Sequence, residues 1–333
     1  MEGENLDEVR RLGRSNLASA PIALGCYSMS SAYGKRDDSE SLAVIQKALG
    51  RGLNFIDTAD FYGWGHNEQL VAKALKGRRD EAIVSTKFGY VQTDSGFGVC
   101  GTPEYVRQAC DASLKRLGID QIDIYFQHRV DPNVPIEETV GAMEELVHAG
   151  KVKALGLCEV SQRTLRRACG TYPIAAIQCE YSLWTKDVEA ELLKECDALQ
   201  VTLMAFSPLG RGMLTGHIRS LDDLAQDDVR RKYPRFSAEN FAWNLALVDQ
   251  LAAIATAKGC TLAQLSLAWL IRKNPRVVAI CGADTLPFLD ENLGALAVDF
   301  TESEVATVGD LFSPEKVAGD RYNAAVMAML DRT

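Results

Sequence analysis

Short runs of apolar, β-branched and aromatic residues alternate along this chain with longer stretches whose apolar positions recur at helical spacing. The short runs fall at Ile22–Gly25, Asn54–Ala59, Ile83–Phe88, Ile122–His128, Ala154–Cys158, Ala175–Glu180, Thr202–Ser207 and Val277–Cys281, which makes eight predicted strands. The intervening stretches carry helix ends. Thr102-Pro103 reads as an N-cap with proline at the first helical position; Val106, Ala109, Cys110, Ser113, Leu114 and Leu117 then form one face up to Gly118. Thr261 with Gln264 and Thr301 with Glu304 spell capping boxes, and Gly150 closes a helix containing Val140, Met143 and Val147.

Strict alternation of strand and helix predicts parallel strands joined by right-handed crossovers, and eight such units close into a barrel. A doubly wound open sheet would carry GxGxxG after its first strand, and Gly63-Trp64-Gly65 supplies only the first half of that pattern. The expectation is an α/β fold: a single (β/α)8 TIM barrel over residues 1–333, with its active site at the C-terminal face of the strands. One connection breaks the rhythm. Between Arg211 and Asn240 the chain reads HIRSLDDLAQDDVRRKYPRF, charged and weakly periodic. Long irregular segments in compact domains are usually functional, and this one follows a strand, so a lid over the mouth is expected at 211–240.

Composition narrows the partners. A formal net charge of -9 offers no electrostatic footprint for nucleic acid or an anionic membrane. No apolar run reaches the roughly 18 residues that a membrane-spanning helix needs. The start, MEGENLDEVRRLGRSN, lacks the apolar core of a signal peptide, so a cytoplasmic protein is expected. Nine cysteines are scattered without a CxxC pair, and four histidines lack metal-ligand spacing. Neither a disulfide framework nor a metal site is expected.

Polar groups recur where the apolar strands end. They are Asp57, Lys87, His128, Cys158-Glu159, Gln178 and Ser207. In a barrel these ends converge on one mouth. A lysine at the end of VSTKFG is costly to bury alone, and Asp57 on the neighbouring strand is its natural partner. Such a pair could be purely structural. Tyr62, on the loop after Asp57, adds a functional reading. An ammonium beside a phenol favours the phenolate and lowers its pKa, and a histidine within reach relays a proton or orients a carbonyl. Asp57, Tyr62, Lys87 and His128 could together protonate a developing alkoxide, with the reductant supplied from outside.

The stretches GLNFIDTADFYGWGHNE, VSTKFG, IDIYFQHRVD, GKVKALGLCEVS, IQCEYSLW, FSPLGRGMLTG and DENLGAL together resemble the aldo-keto reductase superfamily across almost the whole chain. PIEETVGAMEELV and YPRF are similar to bacterial and plant members near the potassium-channel β-subunit branch. The resemblance implies a nicotinamide cofactor laid across the mouth and a small carbonyl or alcohol substrate. It implies Tyr62 as general acid and base, Lys87 as its activator held by Asp57, and His128 as the group orienting the carbonyl. Gln178 would hydrogen-bond the carboxamide, with Cys158 at a position that helps hold it, and Phe206 would stack on the ring. Ser207, Pro208, Leu209 and Gly210 would follow the pyrophosphate, Glu291 and Asn292 would reach the adenine end, and Asp284 could accept from ribose hydroxyls; Tyr27, Gly212 and Gly282 are further cofactor-binding candidates. Asn67-Glu68 reads instead as the cap of a helix.

Two departures bear on chemistry. Cys158 stands where the family usually has serine. Cys281–Asn292, CGADTLPFLDEN, has no basic residue to grip a 2′-phosphate, so NADP(H) and NAD(H) both stay open. Arg230, Arg231, Lys232 and Arg235 of the lid are candidate replacements. Tyr27, Met29, Phe61, Trp64, Phe88, Gln127 and Arg129 are candidate pocket walls. A regulatory binding subunit of the channel β-subunit type is the alternative to an enzyme. An aldolase-like barrel using Lys87 as a Schiff base is a third class, and it conflicts with an acid beside Lys87. Whether the chain is a monomer or a homo-oligomer is left open.

Overall fold

Each predicted strand forms and pairs in parallel with the next. The computed structural model describes residues 8–30, 33–34, 37–94 and 96–331. The N-terminal stretch read above therefore lies, up to residue 7, outside the described residues. The strands are β1 (Ile22–Gly25), β2 (Phe55–Asp57), β3 (Ile83–Phe88) and β4 (Ile122–Gln127), followed by β5 (Val152–Cys158), β6 (Ile174–Glu180), β7 (Thr202–Phe206) and β8 (Val277–Gly282). They follow one another in sequence order around a closed barrel, and β8 pairs with β1. The helices are α1 (Asp38–Gly50), α2 (His66–Ala74), α3 (Pro103–Leu117), α4 (Ile136–His148) and α5 (Gln162–Thr171). After them come α6 (Leu192–Leu199), α7 (Ala238–Lys258), α8 (Leu262–Lys273), α9 (Leu286–Gly294) and α10 (Glu302–Leu311).

The strand ends shift slightly from their predicted places. β4 stops at Gln127 and β7 at Phe206, so His128 and Ser207 begin the loops. Ser207 has φ 49°, outside the β region, which ends its strand. The helix ends follow the expected chemistry. Thr102 accepts from Tyr105 N at the start of α3, Gly118 ends it at φ 63°, and α8 and α10 each open with a capping box.

The alternating faces of the strands build two cores. Ile56, Val84, Tyr125, Leu155 and Leu203 point outward against Val106, Val140, Met143, Leu165 and Trp269 of the helices. Phe55, Ile83, Ile124, Phe126, Met204 and Val278 fill the interior. A Cβ on Gly156 would run into the Phe126 ring, so glycine there lets Phe126 cross the barrel. The bottom is closed by a hairpin of Arg10–Arg11 with Ala18–Ser19, which the sequence pattern does not reveal. Its Leu12 is fully buried in the interior cluster, and Gly13 N donates to Thr202 Oγ1 at 2.9 Å.

Residues 211–237 form four short 3-10 turns, and Ser237 caps α7, so residues 238–240 belong to that helix. Among the described residues no single helix is long and apolar enough to cross a membrane. Nor does any cluster of His, Cys, Asp or Glu among them suit a metal ion.

Candidate active site

β2 ends by bringing Asp57, nearly buried, to the mouth, where it pairs in register with Ser85 of β3. Lys87 lies two residues further along β3. Its Nζ donates to Asp57 Oδ2 at 2.7 Å, to the Thr58 carbonyl at 2.8 Å and to the Tyr62 hydroxyl at 3.0 Å. Three donors meet three acceptors, so an ammonium only 1% exposed is fully coordinated. This leaves no free amine for Schiff-base chemistry. Asp57 Oδ1 accepts from Ser85 Oγ and from Gln178 Nε2, both at 2.7 Å. The Gln178 amide, expected to face a carboxamide, thus spends its nitrogen bracing the carboxylate.

Tyr62 enters on the tight turn Tyr62–Gly65, where Gly63, Trp64 and Gly65 all have positive φ. Burial, then the negative charge of Asp57, holds its phenol well above the usual value of 10.0, although the Lys87 bond favours the phenolate. The expected lowering of this pKa is therefore overruled by desolvation, and Tyr62 stands protonated. His128 follows β4, with its ring centroid 5.8 Å from that of Tyr62 and 4.9 Å from that of Tyr90. Burial, then the cations Lys87 and Arg129, pushes its pKa well below 6.5, so it is neutral. Its Nδ1 is buried without a hydrogen-bond partner among the described residues. Burial also pushes the Cys158 thiol up to about 12, which makes it a neutral group and a poor nucleophile.

These groups border a cavity of about 650 Å³. Tyr27, Cys158, Gln178 and Phe206 line it from the ends of β1, β5, β6 and β7. Ser207, Pro208, Leu209 and Gly212 line it from the loop after β7, and Gly282, Asp284, Glu291 and Asn292 from the end of β8 and α9. Gly210 does not line the cavity. It packs against Trp184, where a Cβ would meet the indole. Lys87 lies beneath the cavity rather than on its wall.

A family model described as the aldo/keto reductase family matches residues 21–311. The chain is 43% identical over 330 residues to an aldo-keto reductase, str7, of Strobilurus tenacellus, covering 96% of each chain. The chain belongs to the aldo-keto reductase family. Among solved structures, it is similar to the glycerol dehydrogenase AKR11B4 of Gluconobacter oxydans, with TM-score 0.84 and 26% identity over 91% of this chain and 94% of that one. It is also similar to an aldo/keto reductase of Klebsiella pneumoniae in complex with NADP and acetate, with TM-score 0.73 and 27% identity over 98% and 100% of the two chains. As a member of this family it is an NAD(P)H-dependent oxidoreductase acting on small carbonyl compounds.

Several walls of the reductase site escape sequence reasoning. A hairpin of Tyr90–Thr93 with Gly96–Val99 brings Tyr90 and Phe97 to the mouth, and Tyr90 packs 4.5 Å from the Phe61 ring. The tail after α10 contributes Tyr322, Asn323, Val326 and Met329, partly through a single helical turn, Ala324–Met327. Ion pairs anchor the 211–237 segment and the tail at strand ends. Arg211 forks onto Glu180 at 3.1 and 2.6 Å, and Arg321 forks onto Glu159 at 2.9 and 2.7 Å. Arg211 also lies over the rings of Tyr233 and Tyr322. A tail distant in sequence leaves no periodic signal; only the unexplained Arg321-Tyr322 pair could have hinted at it.

Other expectations need correction. Tyr27, Phe61 and Arg129 line the cavity as expected, but Met29, Phe88 and Gln127 are buried away from it and Trp64 is half exposed. Phe88 stacks on Tyr125 instead, at 4.9 Å. Asn67 and Glu68 do not cap α2, which begins at His66. Asn67 donates to the Cys26 carbonyl and accepts from Thr58 Oγ1, while Glu68 is held by Thr86 and Arg116.

Proposed function

We propose that this aldo-keto reductase interconverts an aldehyde or ketone with its alcohol, using Tyr62 as general acid and base. The observation that carries the reading is the continuous buried chain from Asp57 through Lys87 to the Tyr62 hydroxyl at the mouth. It is a proton donor with a cation behind it and a carboxylate behind the cation.

The mouth fits a nicotinamide dinucleotide. Ser207, Arg211 and Gly212 all have left-handed backbone on the loop beside the cavity, an arrangement that turns N–H groups toward an anion. Phe206 offers a ring face and Gln178 a carbonyl oxygen for the carboxamide. Glu159, a conceivable helper, is engaged by Arg321 and does not serve. When bound, the cofactor supplies a hydride to the carbonyl carbon. The carbonyl oxygen then gains negative charge. Tyr62 transfers its proton to that oxygen. Lys87 stabilises the phenolate left behind, and Asp57 balances Lys87. Neutral His128 can donate a hydrogen bond to the same oxygen, which orients it toward Tyr62. Alcohol oxidation runs the same steps backwards.

Discrimination between the two cofactors is weak. Arg230 forks onto Asp228, Arg231 binds the carbonyls of Leu221, Leu224 and Ala225, and Arg235 binds Thr185 and Gly319. Of the four lid cations, only Lys232 lines the cavity without an ion pair among the described residues, and Asp284 and Glu291 line the same cavity. The NADP complex of the Klebsiella relative supports nicotinamide binding in general. All nine cysteines are unbridged, which supports the expected cytoplasmic setting.

The test is Tyr62→Phe. Turnover should fall by about three orders of magnitude or more, as expected for loss of the acid. Titrations followed by tryptophan fluorescence should still show NADPH and NADH binding, with dissociation constants within about tenfold of each other, less than one full charged contact is worth. Normal turnover in the variant would overturn the proton donor. Binding of NADPH alone would overturn the weak discrimination.

A further inference from the structure

Arg129 occupies an unusual position for an arginine. It follows His128 directly, it is only 6% exposed, and it borders the same cavity as Tyr62 and His128. Its guanidinium has five N–H donors. One of them, on Nη1, donates to the carbonyl of His128 at 2.7 Å. Nε is buried and has no hydrogen-bond partner among the described residues. The Tyr90 ring, 5.7 Å from the guanidinium carbon, meets the charge but accepts no directional N–H bond in the manner of a carboxylate.

Among the described residues no acid forms an ion pair with this cation. Glu159, the acid that acts on it electrostatically, is already gripped by the fork of Arg321. The other acid nearby in sequence, Asp131, accepts from the backbone N–H groups of Gly101 and Asn133. A buried guanidinium without a counter-ion is costly to the fold, and the cost is offset when a ligand anion completes it. Other arginines around this mouth, Arg211, Arg230 and Arg321, each fork onto a carboxylate of the protein. Arg129 does not.

Resting on the reductase reading above, we propose that Arg129 is a specificity-determining residue that binds a carboxylate on the substrate. The preferred substrate is then an aldehyde or ketone with a carboxylate a few bonds from the reacting carbonyl. Tyr62, His128 and Arg129 border one cavity, which limits that separation. The carbonyl must reach Tyr62 and His128, and Arg129 is the next residue along the chain. The aromatic walls, Phe61, Tyr90 and Tyr322, accept the flat or apolar body between the two polar ends.

The experiment compares pairs of equal shape and different charge on the purified enzyme with its cofactor: 3- and 4-formylbenzoate against 3- and 4-formylbenzamide. The wild type should prefer at least one acid over its amide by about 10- to 100-fold in kcat/KM, the value of a charge-assisted contact. Arg129→Gln should collapse that ratio toward one, mainly through KM, and Arg129→Lys should keep part of it. Calorimetric titration with benzoate should show binding to the wild type and none to Arg129→Gln. A wild type that does not distinguish acid from amide, or an Arg129→Gln variant that keeps the ratio, would overturn the subsite and leave the reductase reading intact. Such a result would assign Arg129 to holding the loop through the His128 carbonyl. Failure of the wild type to reduce any of the four aldehydes would count against the reductase reading, and benzoate binding would then decide the subsite by itself.

Discussion

His128 is buried at the mouth with Lys87 and Arg129 on the same side of the charge balance, and both disfavour a third cation. Its folded-state pKa lies well below the unfolded 6.5. Above pH 7 the residue is neutral in both states and contributes nothing to pH dependence. As pH falls below 6.5 the unfolded chain takes up a proton that the folded one refuses, so stability is lost down to the folded pKa. The unfolded value of 6.5 caps this loss at about 2 kcal/mol at pH 5. Urea unfolding at pH 7 and pH 5 should therefore show the wild type losing more stability than His128→Gln. Equal losses would mean that the folded histidine accepts the proton. The residues of this network were partly legible in advance. Asp57, Lys87 and His128 announce themselves because each is polar where an apolar strand ends, and Tyr62 follows on the loop after Asp57. Gln178 is conspicuous for the same reason, but its partner is not: only the barrel's closure brings it, 121 positions away, to the Asp57 carboxylate, which Ser85 also braces.

At the scale of elements, the site is finished by pieces that carry little pattern of their own. The segment 211–237, the Tyr90–Val99 hairpin and the tail are irregular or short; ion pairs fix the segment and the tail at strand ends, and aromatic packing on Phe61 and His128 holds the hairpin. Arg321 ties the tail to Glu159, with side chains only 11% and 3% exposed. Removing one partner of so buried a pair leaves a charge without compensation. Arg321→Ala should cost about 3 kcal/mol in chemical unfolding. Adding Glu159→Gln to that variant should recover part of the loss, since an amide needs no counter-ion. The tail of the single variant should also be cut sooner in limited proteolysis. Further loss in the double variant would show that Glu159 has another role. The segment 211–237 was visible in the sequence as a break in the strand–helix rhythm, whereas the tail was not. Helix α10 with its capping box reads like the end of the fold, and Arg321-Tyr322 is a faint hint of a return across the barrel.

The whole molecule separates stability from chemistry along the barrel axis. Strand ends at Asp57, Cys158, Gln178 and Phe206 meet at the mouth. The opposite end is closed by the hairpin Arg10–Arg11 with Ala18–Ser19, tied to the first residue of β7 through Thr202 and to the first of β8 through the Val277 carbonyl, which accepts from Arg10. The barrel itself was readable from eight short apolar runs. The plug was not, because its strands are two residues long, Arg-Arg and Ala-Ser, with no apolar run to mark them. Leu12 is the apolar side chain that this hairpin inserts into the interior, fully buried beside Ala23, Ile124, Ala176 and Met204. Leu12→Ala opens a cavity that a closed ring of strands cannot collapse to fill. The cost should be about 3 kcal/mol, within the range for such truncations. Because the whole length of the interior core lies between Leu12 and Tyr62, kcat and KM should stay near wild type at temperatures where the variant is folded. A lower urea midpoint with unchanged kinetics would bear out this division. A fall in kcat comparable to that of a mouth variant would show that packing at the bottom is felt at the mouth, and that the barrel transmits strain along its axis.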